Sequence, residues 1–375
     1  MIVKKKKVAF LGLRNLPPAG GGSETFAAEL GERAVKKGCE VYVYCRNHAS
    51  SDIKLKEYKG IKLIWLPSIN NKNLDTPIHT LFSALHIIFK NKVDVVQLGG
   101  VGNAVALPLL KLFGFKTIVI VDGADWERDK WGIVAKFVLK LTAKITTIFA
   151  DKVICDSQVS QKYYKEKFNT ESVFIPYGGK IHEQLDQSVL TKYGLTKDKY
   201  ILFVGQLKPE KGVHYLIEGY NKAKTKLKLV IVGKNIIKSY THELKSRASS
   251  NPNITIFDPI YGEDIESVLA CSAFYIQPSY VEGTSPVILQ NLALGNIVLV
   301  NGIPENLETI GDAGLSYKVN DIDDLVSKIE YITDNLTFIK GEFSEKAKQR
   351  ILNIYNWDKV TDQYIEVYAK LINQR

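Results

Sequence analysis

The chain has 375 residues, of which 45% are hydrophobic and 24% charged, and its formal net charge is +10. That length favours two domains, each able to bury its own core, and the composition excludes disordered, fibrous and small disulfide-stapled chains. No apolar run reaches the roughly 18 to 20 residues that cross a bilayer: residues 105–115 are too few, and residues 133–149 are broken by Lys136, Lys140 and Lys144.

The N-terminus reads Met1, Ile2, Val3 and then Lys4 to Lys7, with a strand and a glycine loop behind it instead of a secretory leader, so a cytoplasmic protein is expected. Residues 7–13 form a short apolar run bounded by lysines, which predicts a buried parallel strand. Pro17, Pro18 and the run Gly20, Gly21, Gly22 make the next loop. Residues 23–37 then space Phe26, Ala27, Leu30, Ala34 and Val35 as a helix that stops at Gly38. A strand at 40–45 completes a βαβ unit with a glycine-rich first turn. The alternation continues through strands at 61–66, 93–98, 116–121, 152–155 and 172–176, with helices near 76–89, 104–112 and 132–149.

Residues 178–198 lack a strong strand signal, and the alternation starts afresh at 200–204, followed by strands at 227–232, 254–257, 273–277 and 297–300. A helical segment runs from about 344 to the end. The pattern predicts an α/β chain of two Rossmann-like, doubly wound domains, residues 1–185 and 186–350, with a helix at 351–375 expected to cross back to the first domain.

Charge is unevenly placed: residues 1–180 carry 28 Lys and Arg against 16 Asp and Glu, leaving 22 against 24 for the remainder. Such asymmetry suits an anionic surface or ligand on the first domain, or a solvated lysine surface. Cys39, Cys45, Cys155 and Cys271 are scattered, with no C-x-x-C pair or neighbouring histidines, and read as buried, reduced thiols.

Ligands of open α/β sheets bind beyond the carboxyl ends of the strands, so the loops there carry the search. Gly20, Gly21 and Gly22, with Ser23 and Glu24, open a helix whose free N–H groups favour an anion, without spelling the dinucleotide pattern G-x-G-x-x-G. Asp122, Asp125, Trp126, Glu127 and Arg128 crowd the loop after strand 116–121. Carboxylates that accept hydroxyl hydrogen bonds beside indole faces suit a sugar, while Asp122 also fits a helix cap. Gly205, Gln206, Lys208, Lys211 and Gly212 follow the first strand of the second domain, where a lysine is placed to neutralise phosphate or simply to face water. Glu282, Gly283, Thr284, Ser285 and Pro286 lead into a helix at 287–294, with Thr284 and Ser285 as caps and a dipole that suits phosphate. Asp321-Ile322-Asp323 is the only D-x-D and reads as the cap of a late helix.

The segments GGGSETF, GQLKPEKG and EGTSPVILQ, in that order on two α/β domains, resemble a retaining glycosyltransferase of family 4 with the GT-B fold, two Rossmann-like domains facing a central cleft. The stretches GLRNLPPAGGGSETF, EVYVYCR and VDGADWERDKWG are similar to bacterial rhamnosyltransferase-like members that build surface polysaccharides. The resemblance implies a nucleotide-sugar donor, UDP- or dTDP-linked, and hexosyl transfer with retention to a hydroxyl of a glycan or lipid-linked acceptor, without metal or cofactor. It implies that Lys211 binds the donor diphosphate, that Glu282, first acid of an E-x7-E motif, holds hydroxyls of the transferred sugar, and that Asp122 contacts that sugar near the reacting carbon. Gly21, Gly22, Gly205, Gly283, Thr284 and Ser285 would approach donor or phosphate, and Asp125, Trp126 and Arg128 the acceptor.

Two positions depart from the family: Gln206 replaces its arginine and Gln290 its second acid. A deoxyribose donor such as a dTDP-sugar suits Gln290 better than a UDP-sugar. The departures also motivate an alternative reading, a GT-B binding or partner subunit with weakened turnover; an epimerase or phosphorolytic enzyme on this fold lacks the histidine and acid arrangement it needs. Lys136, Lys140 and Lys144 lie four apart on one predicted helix, which either rests on an anionic membrane at the inner face of the cell or packs into the core. No nucleic-acid-binding module is present.

Overall fold

The computed structural model describes residues 5–18, 21–49, 54–71, 74–123, 126, 132–180 and 186–374. The chain divides into two units: Met1–Tyr177 together with Trp357–Arg375, and Gly178–Asn356. The expected boundaries at 185 and 350 thus fall at 177 and 356.

The first unit is built on β1 (Lys7–Leu11), β2 (Glu40–Arg46), β3 (Glu57–Tyr58), β4 (Ile61–Leu66), β5 (Val95–Gly99), β6 (Lys116–Val121), β7 (Lys152–Cys155) and β8 (Ser172–Phe174). They form one sheet in the order β3-β4-β2-β1-β5-β6-β7-β8, parallel except for the β3–β4 pairing. Its apolar strands are covered on both faces, as the continuous hydrophobic runs require. Val8 and Phe10 of β1 and Ile118 and Ile120 of β6 point to one face, against the helix Gly22–Lys36 and the last helix, Trp357–Asn373. Ala9, Leu11, Val119 and Val121 point to the other, against helices Asp75–Phe89, Leu107–Leu112, Ile133–Phe149 and Gln158–Phe168.

The last helix belongs to this unit because its buried stripe, Trp357, Val360, Tyr364, Val367, Tyr368 and Leu371, recurs every three or four residues. The Phe26 ring meets those of Trp357 and Tyr364, and Tyr368 donates its hydroxyl to Gln97 Oε1 of β5 at 2.6 Å.

The second unit carries β9 (Tyr200–Leu207), β10 (Lys228–Asn235), β11 (Ile254–Phe257), β12 (Phe274–Gln277), β13 (Val298–Asn301) and β14 (Leu315–Tyr317), all parallel, in the order β11-β10-β9-β12-β13-β14. Strand β9 runs past the expected end at Val204, because Gly233, Lys234 and Asn235 of β10 continue the ladder opposite Gly205, Gln206 and Leu207. Gly205 and Gln206 are therefore strand residues, a correction to their expected place in a loop. Asp321 caps helix Ile322–Asp334 by accepting from the Asp324 N–H at 2.9 Å, as the D-x-D reading expected. All four cysteines are free and buried, and burial pushes the thiols of Cys45 and Cys155 up to about 12.

Candidate functional site

Strand order reverses between β9 and β12, so the loops leaving those two strands frame the crevice where open α/β sheets hold ligands. The loop after β9 is a single turn, Pro209–Lys211, closed by Gly212 at φ +66°. A Cβ at Gly212 would lie within 3.3 Å of the Pro278 side chain and closer still to its carbonyl, so only glycine fits both the backbone angle and the approach of the β12 loop. The Tyr280 N–H donates to the Glu210 carbonyl at 3.1 Å and fixes that approach.

The two loops bring Lys211 and Glu282 together. The Lys211 ammonium forms an ion pair with Glu282 Oε1, and the Glu282 side chain is only 7% exposed. Gln277, at the end of β12, donates from Nε2 to the same carboxylate oxygen and to Ser279 Oγ, both at 2.8 Å. Two residues earlier on the same strand face, Tyr275 donates its hydroxyl to Gln277 Oε1. Complete burial drives the Tyr275 phenol well above its ordinary pKa, so it remains a donor. Each member of this chain fixes the next, and the carboxylate is held in one position by residues rooted in the sheet. Sequence reasoning passed over Tyr275 and Gln277; the available signal was a tyrosine and a glutamine two apart at the carboxyl end of an apolar strand.

Glu210 is buried in the same turn, with neither carboxylate oxygen hydrogen-bonded among the described residues. Gly283 and the buried Thr284 and Ser285 lead to helix Pro286–Ala293. Ser285 stands at the N-cap but makes no side-chain capping bond, and Pro286 occupies the first turn. The remaining N–H groups at that end give it anion-favouring character. Gln290 lies half-buried within the same helix.

In the first unit the reversal falls between β1 and β5. Gly21 is the N-cap of helix Gly22–Lys36, its carbonyl accepting from both the N–H and the hydroxyl of Thr25 at 3.0 Å. Glu24 in the first turn reaches back to accept the Arg14 N–H at 3.3 Å, so a carboxylate already complements this helix end. Asp122 directly follows β6. Asp125 and Arg128 lie outside the described residues. Trp126 is a correction: its indole is 4% exposed and packs with the rings of Tyr163 and Phe168, so it presents no face on which a sugar could stack. Among the described residues, no group of three histidine, cysteine, aspartate or glutamate side chains is arranged to hold a metal ion.

Residues 190–353 match the family described as Glycosyl transferases group 1, and residues 5–180 match a family described as Domain of unknown function (DUF1972). The chain is 25% identical over 193 residues to O-antigen chain mannosyltransferase B of Escherichia coli, 49% of each chain, so it spans about half the length of that relative. Over 341 residues, 82% of this chain and 84% of the relative, it is 25% identical to the UDP-Gal:alpha-D-GlcNAc-diphosphoundecaprenol alpha-1,3-galactosyltransferase of Escherichia coli. In fold it is similar to sucrose-phosphate synthase from Thermosynechococcus elongatus, with a TM-score of 0.84 at 17% identity over 99% of this chain and all of that one. The first half of the chain is thus similar to the DUF1972 family and the second to the group 1 glycosyl transferases, and the fold is GT-B.

Proposed function

We infer that the protein is a glycosyltransferase that moves a hexosyl group from a UDP- or dTDP-linked donor to a hydroxyl of a lipid-linked or glycan acceptor, with retention, during surface polysaccharide or glycoconjugate synthesis at the inner face of the cell membrane. The observation that carries this reading is the Lys211–Glu282 pair, set by Gln277 and Tyr275 at the reversal point of the second sheet. An ammonium beside a helix N-terminus suits a diphosphate, and a fixed, nearly buried carboxylate suits sugar hydroxyls. The galactosyltransferase relative is named for a UDP-linked donor and a diphosphoundecaprenol acceptor, which supports the same two substrate classes here.

In the reaction the bond between the anomeric carbon and the phosphate oxygen breaks, the acceptor oxygen bonds to that carbon on the same face, and the hydroxyl proton passes to the departing phosphate. Lys211 and the N–H groups ahead of Pro286 would neutralise the leaving group without metal, and Glu282 would orient the sugar. Gln290 would meet the ribose as a neutral partner, which favours dTDP over UDP. Asp122 is assigned to the transferred sugar near its reacting carbon.

The test is transfer from labelled UDP- and dTDP-hexoses to a diphospholipid-linked glycan, with the product anomer read by NMR. One nucleotide class is expected to support transfer with retained configuration, at a rate unchanged by EDTA. Binding of a donor without transfer or hydrolysis for any sugar would instead favour the partner-subunit reading that Gln206 and Gln290 motivate.

A further inference from the structure

Helix Ile133–Phe149 is turned inside out relative to an ordinary surface helix. The side chains it buries against the sheet are Thr142, Ala143 and Thr146, with Leu139 partly covered, whereas Ile133, Val134, Phe137, Val138, Leu141 and Ile148 are between 46% and 88% exposed. At 100° per residue those six fall on the side opposite the buried one. A surface helix of a soluble domain has the reverse distribution.

The neighbouring helix on the same sheet face repeats the inversion. Asp75–Phe89 buries His79, Thr80 and Ser83 along with Ala84, Ile87 and Ile88, and exposes Leu81, Phe82, Leu85 and Phe89. Leu112 and Phe113, at the end of the short helix on that face, are also exposed, and the Phe113 ring lies edge-on to Phe89 with centroids 6.2 Å apart. An apolar surface spread over three helices exceeds the scattered hydrophobic residues that need no partner.

Charge identifies the partner. The helix Ile133–Phe149 contains no acidic residue, and Lys136, Lys140 and Lys144 run along one border of its apolar face. The one acid in the three helices, Asp75, is paired with the buried Arg46 at 2.5 Å. No helix among the described residues is long and apolar enough to cross a membrane. An apolar face with a cationic border and no anions suits the headgroup region of an anionic bilayer, into which such helices sink sideways while their lysines reach phosphate.

We propose that the outer surface of helices Asp75–Phe89, Leu107–Leu112 and Ile133–Phe149 docks the first unit on an anionic lipid bilayer. Docking would supply a lipid-linked acceptor from the plane of the membrane, yet the surface is argued independently of the donor site.

The test is co-sedimentation of the full chain with vesicles of phosphatidylcholine, alone or mixed with phosphatidylglycerol. The unaltered protein is expected to sediment with the mixed vesicles, less with phosphatidylcholine alone, and less as salt is raised. The double variant Phe137→Glu, Leu141→Glu is expected to lose at least tenfold in partitioning. Replacing Lys136, Lys140 and Lys144 with Gln is expected to cost about fivefold for each lysine, with circular dichroism unchanged because none of the five side chains is among those the helix buries. Failure of the unaltered protein to sediment with mixed vesicles, or equal binding by the Phe137, Leu141 variant, would overturn the proposal. A dimer in light scattering that this variant dissociates, without vesicle binding, would assign the face to a second copy and also overturn it. The readout needs no turnover, so vesicle binding by a protein that transfers no sugar would refute only the transferase reading.

Discussion

Glu282 owes its position to two donors, Lys211 and Gln277, and losing either side of its ion pair is expected to destabilise the fold. With Glu282→Gln, the Lys211 ammonium, 19% exposed, loses its partner. With Lys211→Met, the carboxylate keeps only the Gln277 amide. Breaking one side of a buried pair costs about 3 to 5 kcal/mol, and partial exposure places each single variant at about 2 kcal/mol. The double variant is expected to be more stable than the sum of the singles by about 1 to 2 kcal/mol. Urea unfolding of the four proteins checks this, and strict additivity would show that the pair is not coupled.

His79 gives a second test at this scale. It is fully buried, donates Nε2–H to the Cys45 carbonyl at 3.1 Å, and burial lowers its pKa from 6.5 to about 4. The unfolded chain therefore takes up this proton near pH 6.5 and the folded chain only near 4. The stabilisation is complete above 6.5 and is lost as the pH falls through that window, by about 3 kcal/mol in all. His79→Gln, which can keep the donor to Cys45, is expected to flatten this part of the stability profile. An unchanged acid slope in the variant would contradict the assignment.

At the scale of elements, the alternation of strand and helix was legible in nearly every segment because both units are parallel sheets whose strands are buried on both faces. The β9 and β12 loops were legible as strand-end loops for the same reason: a glycine-closed turn and a helix N-terminus follow apolar strands. Three features were not. The extension of β9 through Gln206 depends on a partner strand about thirty residues away, and local pattern carries no information about pairing at that distance. Trp126 lies in a loop rich in acids, yet its indole goes to the core because burying an aromatic ring outweighs the polarity of its neighbours. Helix Ile133–Phe149 contains enough apolar residues for either a core or a surface role, and only the burial of Thr142 and Thr146 shows which side faces the sheet.

Gly212 sits where the β9 and β12 loops approach most closely. Gly212→Ala adds a Cβ that meets the Pro278 carbonyl at a positive φ, so it is expected to cost about 2 kcal/mol or more. It is also expected to weaken donor binding, since the turn that positions Lys211 must shift. Unchanged thermal stability and unchanged donor affinity together would show that the two loops do not depend on this contact.

For the whole molecule, the chain crosses twice between its units, after Tyr177 and again after Asn356. The sequence offered a final helical segment expected to cross back, and the attachment of that helix to the first unit rests on Phe26, Gln97 and the aromatic stripe beginning at Trp357. A ligand bound only by the second unit adds RT ln(1 + [L]/Kd) to the stability of that unit, about 2.7 kcal/mol at a hundredfold excess over Kd. Donor binding is proposed to reside at the β9 and β12 loops and to depend on Lys211. Calorimetric titration of UDP- and dTDP-sugars onto the unaltered protein and onto Lys211→Met tests it most directly. Saturable binding of one nucleotide class is expected, weakened at least tenfold by the substitution. Equal binding by both proteins, or none by the unaltered one, would contradict it.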